Sequence, residues 1–327
     1  MSVAVRQGAG RHARPAPSSR TDGPDGGRGR RLRLAARGRR ELWLLVLPAA
    51  AFFAVFLVYP LVFGAHMSTT DYGTRTFITG EAPFVGTANF AEVLAGGRVG
   101  TAIRNTLVIT VGSVSLQLVL GLAIALLFDR RFPGSRWMPT LLLIPWLIPT
   151  VVVALTWRWL LQGDGAVNQV LALVGVNGSA WLASSGTALG AVVVVSVWGG
   201  LPFWATILGA ALKQVPREQI EAAQLDGAGA FKRLVHIVVP GIWPVVSVLV
   251  ILGIVHTLKI VDLVLVLTGG GPADGTVTLG LLAYQSAFQL FRFGEGAAYG
   301  MLLLGVTVVI ALLYAWLTGR REKEQFG

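Results

Sequence analysis

The 327-residue chain has no cysteine, so disulfides and thiolate metal sites are excluded. It has only four histidines, His12, His66, His236 and His256, at spacings that form no ligand set. Charged residues make up only 13% of the chain, about half the share usual in a soluble domain, and hydrophobic residues 54%. Mean hydropathy is +0.67. These shortages and this surplus describe a membrane protein.

The net charge of +11 is concentrated rather than spread over a face. Eleven of the 27 Lys and Arg residues fall in positions 1–41, and most others lie in short breaks between apolar runs. No compact basic surface tracks a phosphate backbone, so nucleic acid is not expected as a partner. The glycine cluster Gly269-Gly270-Gly271 is followed by Pro272 and lacks the Lys-Ser/Thr of a phosphate-binding loop. With no catalytic constellation, metal site or cofactor site in view, the chain reads as a transducer of work done elsewhere and not as an enzyme.

A bilayer-crossing helix needs about 20 mostly apolar residues. Runs of that kind predict spans at 42–64, 105–128, 137–157 and 296–319. The charge-free stretch 165–212 is cut by GVNGSAWLASSG, which predicts a short surface or re-entrant helix and then one span over 188–212. A further span is expected from 241 to 262, with Lys259 and Asp262 on one helix near its end, three apart and able to neutralise each other. The expectation is an all-α integral membrane protein of six spans.

With both termini cytoplasmic, segments 1–41, 129–136, 213–240 and 320–327 are inner and hold 21 of the 27 basic residues. That bias fixes the expected orientation in the cytoplasmic membrane. Segment 1–41 reads as a disordered basic tail and 42–100 as the first span with its outer loop. Segment 101–319 reads as a five-helix core, and 320–327 as a cytoplasmic tail. Arg37, Arg39 and Arg40 are placed to meet anionic lipid headgroups.

The inner segment 213–240 is too long for a connector. Pro216 and REQIEAAQL predict a helix over 217–225, Asp226-Gly227 a turn, and 230–238 a second short helix ending at Pro240. Small and acidic residues dominate this surface, where a lipid-facing helix requires bulkier groups. The pattern Glu221-Ala222-Ala223, Asp226-Gly227-Ala228, Phe231, Ile237, Pro240 resembles the EAA loop of permease subunits of binding-protein-dependent ABC importers. FVGTANFAEVL at 84–94, RNTLVIT at 104–110, WLIPTVVVALTWRWLL at 146–161 and VLTGGGP at 266–272 resemble the carbohydrate branch of that family. The resemblance covers roughly residues 41–320.

The resemblance implies a type I importer permease fold that pairs with a second, related permease. It also implies docking on two copies of a nucleotide-binding ATPase subunit and receipt of a sugar-like solute from an extracytoplasmic binding protein. Glu221, Ala222, Ala223, Asp226, Gly227, Ala228 and Pro240 are then the coupling residues, with Gly227 permitting the turn.

For the solute pathway, buried polar groups and ring surfaces are the candidates: Asn105, Gln117, Trp198, Trp204 and Asp262, with Lys259 and Phe203 beside them. Helix packing near Gly199, Gly200 and Pro202 accounts equally for the aromatics. An ion-driven secondary transporter, for which no internal repeat is evident, and a membrane scaffold are the alternatives.

Overall fold

A computed structural model describes residues 46–130 and 137–326, with side chains through 318. The basic tail and the inner connector at 131–136 lie outside the described residues. The chain divides into a unit ending at Leu61 and a unit from Val62 onward. Among the described residues there is no sheet, only the isolated bridges Thr70↔Phe84 and Gly73↔Arg292.

The elements in chain order are α1 (Val46–Ser68), α2 (Thr74–Thr79), α3 (Ala88–Ala95) and α4 (Arg98–Asp129). Then come α5 (Met138–Leu147), α6 (Thr150–Leu160), α7 (Ala166–Leu173) and α8 (Ser185–Leu212). The last are α9 (Arg217–Leu225), α10 (Ala230–Leu258), α11 (Asp262–Leu267), α12 (Leu279–Tyr284) and α13 (Phe293–Phe326).

Among the described residues five helices, α1, α4, α8, α10 and α13 to Thr318, are long and apolar enough to cross a bilayer. A sixth crossing arises if the bent pair α5–α6 counts as one span. The sequence-predicted short helix ahead of the fourth span is α7.

The span expected over 137–157 is not one helix. It breaks by 93° between Leu147 and Thr150. The cause is local: Ile148 precedes Pro149 and is driven out of the helical region, to φ −76°, ψ 130°. Pro149 in turn lacks an N–H with which to continue the ladder. Its carbonyl instead opens α6, accepting from the N–H groups of Val152 at 2.9 Å and Val153 at 3.1 Å.

The expected short helix 230–238 and the fifth span are also redrawn, because Pro240 does not end a helix. A π turn at Leu234–Val238 lets the Val239 N–H reach back to the Leu234 carbonyl, and α10 runs through Pro240 to Leu258. The same device precedes Pro60, where a π turn at Ala54–Val58 ends with the Tyr59 N–H on the Ala54 carbonyl.

At its far end α10 stops at Leu258, so Lys259 and Asp262 do not share a helix. Asp262 opens α11, its Oδ1 2.9 Å from the Leu263 N–H.

The interior has two apolar clusters, both built on the α4–α8 pair. One gathers Ile109, Val192, Val195, Leu263, Val264, Leu279 and Leu281; the other gathers Val114, Trp204, Leu208, Ile242 and Leu249. Small residues let α4 and α8 approach closely: a Cβ on Gly121 would stand 3.0 Å from the Trp204 Cβ, and one on Gly112 would stand 3.2 Å from Val193. The most apolar windows of α1 and α13 have no buried residue, which leaves their side chains to lipid or to other chains.

Candidate coupling surface and span interior

The α9–α10 hairpin is rooted at one end and open at the other. Val215, 6% exposed, packs in the second cluster with Ile220, Ile237 and Ile242. A Cβ on Gly241 would lie 3.4 Å from the Val215 Cγ2. Pro216 caps α9, and Glu218 occupies its first turn, where negative charge is favoured.

The turn has the geometry of a Schellman motif. Gly227 sits at φ +77° and donates to the Gln224 carbonyl at 3.1 Å, while Ala228 donates to the Ala223 carbonyl at 2.9 Å. Arg233 Nη1 then donates to the Ala228 carbonyl at 2.7 Å and fastens the second helix to the turn.

Beyond that root the hairpin presents an unpaired face. Glu221, Ala222, Asp226 and Gly227 are exposed, and Ala223 and Ala228 are half-buried. Pro240 is half-buried at the base. Leu225 is 90% exposed and Phe231 79%, so two bulky apolar side chains flank the acidic turn. The motif includes Phe231; the sequence reading did not single out Leu225, although it is a large apolar residue just before Asp226-Gly227. Apolar knobs, carboxylates and small residues share this exposed surface, a mixture of the kind found at protein interfaces.

The five pathway candidates are not brought together. The Asn105 side chain, 1% exposed, donates its amide to the carbonyls of Asp274 at 3.1 Å and Val277 at 3.0 Å. Gln117, 4% exposed, donates to the Ser196 carbonyl at 2.9 Å and lies against Gly200. Trp204 is buried between helices at Gly121 and Gly253. Trp198 is half-exposed and meets Trp157 edge-on at 5.8 Å, while Trp146 stacks on Phe203 at 5.6 Å. Asp262 is exposed at the start of α11. Of the two tryptophans, Trp198 keeps exposed ring surface, at 37%, and Trp204 does not.

Of the segment 263–295 between the last two expected spans, the part around 276–282 is packed inward, while 288–292 is exposed. Thr276, Val277, Thr278 and Leu279 are fully buried. Arg98 clamps Asp274 through two hydrogen bonds, of 2.9 and 2.6 Å, and the Thr268 and Thr276 hydroxyls meet at 2.7 Å. No group of His, Asp and Glu able to hold a metal occurs among the described residues.

Residues 117–323, which hold the last part of α4, the whole of α8, α10 and the span of α13, and the hairpin, match the family model described as "Binding-protein-dependent transport system inner membrane component". The chain belongs to that family. This binding-protein-dependent permease is 33% identical over 273 residues to the trehalose/maltose transport system permease protein MalF of Thermococcus litoralis, covering 83% of this chain and 91% of the relative. It is 34% identical over 282 residues to the trehalose transport system permease protein SugA of Mycobacterium tuberculosis, covering 86% and 89%.

In fold it resembles a chain of the crystal structure of a bacterial ABC transporter involved in the import of alginate. The TM-score is 0.73 at 23% identity, over 89% of this chain and 99% of the other. By its family the permease is a membrane-spanning subunit of an ABC-type importer, and the ATPase chemistry belongs to other subunits. Family membership decides against the ion-driven transporter and the scaffold.

Proposed function

We propose that this permease translocates a sugar or short saccharide delivered by an extracytoplasmic binding protein, and that the α9–α10 hairpin couples that movement to ATP turnover in a separate subunit. The observation that carries the coupling role is the hairpin's construction, rooted through Val215 and Ile242 and open at Glu221, Leu225, Asp226 and Phe231. A projection without slack transmits a push, because close-packed elements shift as bodies. The sugar assignment draws on relatives named for trehalose and maltose.

In this reading the permease pairs with a second, homologous permease and stands on two ATPase subunits. Both termini are cytoplasmic, and the inner segments carry 21 of the 27 basic residues. Glu221 and Asp226 meet basic groups of the ATPase, Leu225 and Phe231 enter apolar recesses, and the Gly227 turn sets the angle between the two helices.

The test is ATPase activity in proteoliposomes holding the complete assembly, with a panel of disaccharides and longer saccharides supplied to the binding protein. Stimulation by one liganded binding protein, with uptake of its sugar, is the expected result. ATP turnover that no saccharide alters would remove the sugar assignment; failure of the permease to co-purify with any ATPase would remove the coupling role.

A further inference from the structure

A recess of about 490 Å³ lies between the last turns of α4 and α8 and the start of α5. Its volume is within the roughly 300–1,000 Å³ of small-molecule sites, and helical bundles place such sites between helices. Lys213 lines it, two residues before Val215 at the root of the hairpin. The recess therefore sits at the hairpin end of the two spans, the end at which an importer coupled through that hairpin releases its solute.

Small residues make the space. Ala205, Gly209 and Ala210 line the recess from α8 and Ala125 from α4, and a Cβ on Gly209 would stand 3.9 Å from the Ala125 Cβ, so the two helices meet at its back. Phe128, Pro139 and Leu142 supply the apolar wall. That wall continues away from the hairpin: Trp146 and Phe203, one turn on from Leu142 and Thr206, stack with centroids 5.6 Å apart, and Trp146 is 50% exposed.

The polar groups are few and of unlike kind. Asp129 is the last residue of α4 and Lys213 follows the last residue of α8; both line the recess, both are exposed, and neither makes an ion pair among the described residues. The Thr206 hydroxyl donates to the Pro202 carbonyl at 2.8 Å, which leaves its lone pairs free to accept. A carboxylate only accepts and an ammonium only donates.

That set selects an occupant by charge and by hydrogen bonding. A simple anion drawn to Lys213 is repelled by Asp129, and a cation meets the reverse. An acyl chain has no bond to offer any of the three polar groups. A polyhydroxylated ring suits all of them, because each hydroxyl both donates and accepts while the C–H face lies on the apolar wall.

We infer that this recess is a release-side saccharide subsite, in which Asp129, Thr206 and Lys213 hold the solute before it leaves the permease. The inference rests on the sugar-importer reading above and adds to it a site and its residues.

The chain's lack of cysteine makes the test direct. Ala210→Cys places a thiol in the recess, and Gln214→Cys places one on exposed surface beyond it. Each variant is assembled into the complete importer in phospholipid nanodiscs without nucleotide, and its reaction with a charged thiosulfonate is followed on this chain. The probes are disaccharides and longer saccharides, trehalose and maltose included, and uptake of each by the unlabelled importer is measured in proteoliposomes. A saccharide that is taken up is expected to slow modification at 210 severalfold and to leave 214 unchanged.

Uptake of a saccharide that gives no protection at 210, or equal protection at 214, would overturn the subsite and leave the importer reading standing. Uptake of no saccharide would remove the sugar reading and the subsite with it. Modification at 210 that is blocked without sugar and restored in detergent would assign the recess to lipid; if it stays blocked in the detergent-solubilised assembly, the recess is covered by protein. Either result overturns the inference.

A second pair of variants reads the polar groups. Asp129→Asn and Lys213→Gln alter exposed side chains, so the melting temperature is expected to hold. Each is expected to raise the saccharide concentration for half-protection at 210 by about tenfold or more, as loss of a hydrogen bond to a charged group does. An unchanged concentration in both would make the recess a crevice without recognition and overturn the assignment.

Discussion

The Trp204 indole on α8 lies so close to Gly253 on α10 that a Cβ there would stand 2.5 Å from the ring's Cζ2. A Cβ on Gly121 of α4 would stand 3.0 Å from the Cβ of the same tryptophan. One side chain therefore sets the spacing of three spans.

Gly253→Val is expected to force Trp204 out of place and to cost about 1–3 kcal/mol, as overpacking does. Trp204→Ala is expected to cost more, about 3–5 kcal/mol, by opening a cavity. Thermal unfolding in detergent measures both. Transport per folded molecule should keep its KM; a changed KM with unchanged melting would return Trp204 to the solute pathway.

Gly227 has open space around its Cβ position but a backbone at φ +77°. Gly227→Ala therefore pays only the left-handed penalty, about 1–2 kcal/mol, and Gly227→Val more. The spans should still fold, while the amount of ATPase retained on purification, and the sugar moved per ATP, should fall. Full retention and full uptake in the valine variant would show that the turn angle does not matter.

Leu225 and Phe231 touch little within the chain, so Leu225→Asp and Phe231→Ser should change stability by no more than about 0.5 kcal/mol. Both are expected to weaken ATPase binding tenfold or more, in line with buried anchor residues at an interface. Titration of detergent-solubilised permease with purified ATPase reads this directly. Unchanged affinity would leave the two residues as lipid contacts.

Asn105 and Arg98 both hold segment 274–277, but by unequal means. Asn105→Ala takes the amide donor from the buried Val277 carbonyl, at about 1–3 kcal/mol, while the Asp274 carbonyl keeps the Val277 N–H. Arg98 and Asp274 are about 40% exposed at their side chains, 43% and 40%, so Arg98→Gln should cost no more than about 1 kcal/mol. Unfolding midpoints should rank Asn105→Ala well below Arg98→Gln. The reverse order would mean that the ion pair, and not the amide, holds segment 274–277.

Long apolar runs made five spans legible, because hydrocarbon thickness imposes a minimum length that composition reveals directly. The hairpin was legible as well, since Pro216, Asp226 and Gly227 punctuate the chain locally. The bend at Ile148-Pro149 was not read, although both prolines of IPWLIP were visible, because apolar content alone does not distinguish a straight crossing from a broken one. Passage of α10 through Pro240 was hidden for another reason: a π turn four residues upstream changes which carbonyl needs a donor. The inward packing at 274–282 depends on Asn105 and Arg98, about 170 residues away, and no local pattern announces a contact of that range.

Because α10 is a single helix from Ala230 to Leu258, the proposed coupling would use it as a lever. The buried Ile242, packed in the second cluster, would be the fulcrum, and bending at Pro240 or Pro244 would subtract from the motion passed on. The arm towards the hairpin is about 18 Å long and the arm towards Leu258 about 24 Å, at 1.5 Å per residue. A stiff helix pushed by about 1 Å at the hairpin would then swing by roughly 1.3 Å in the opposite sense at Leu258.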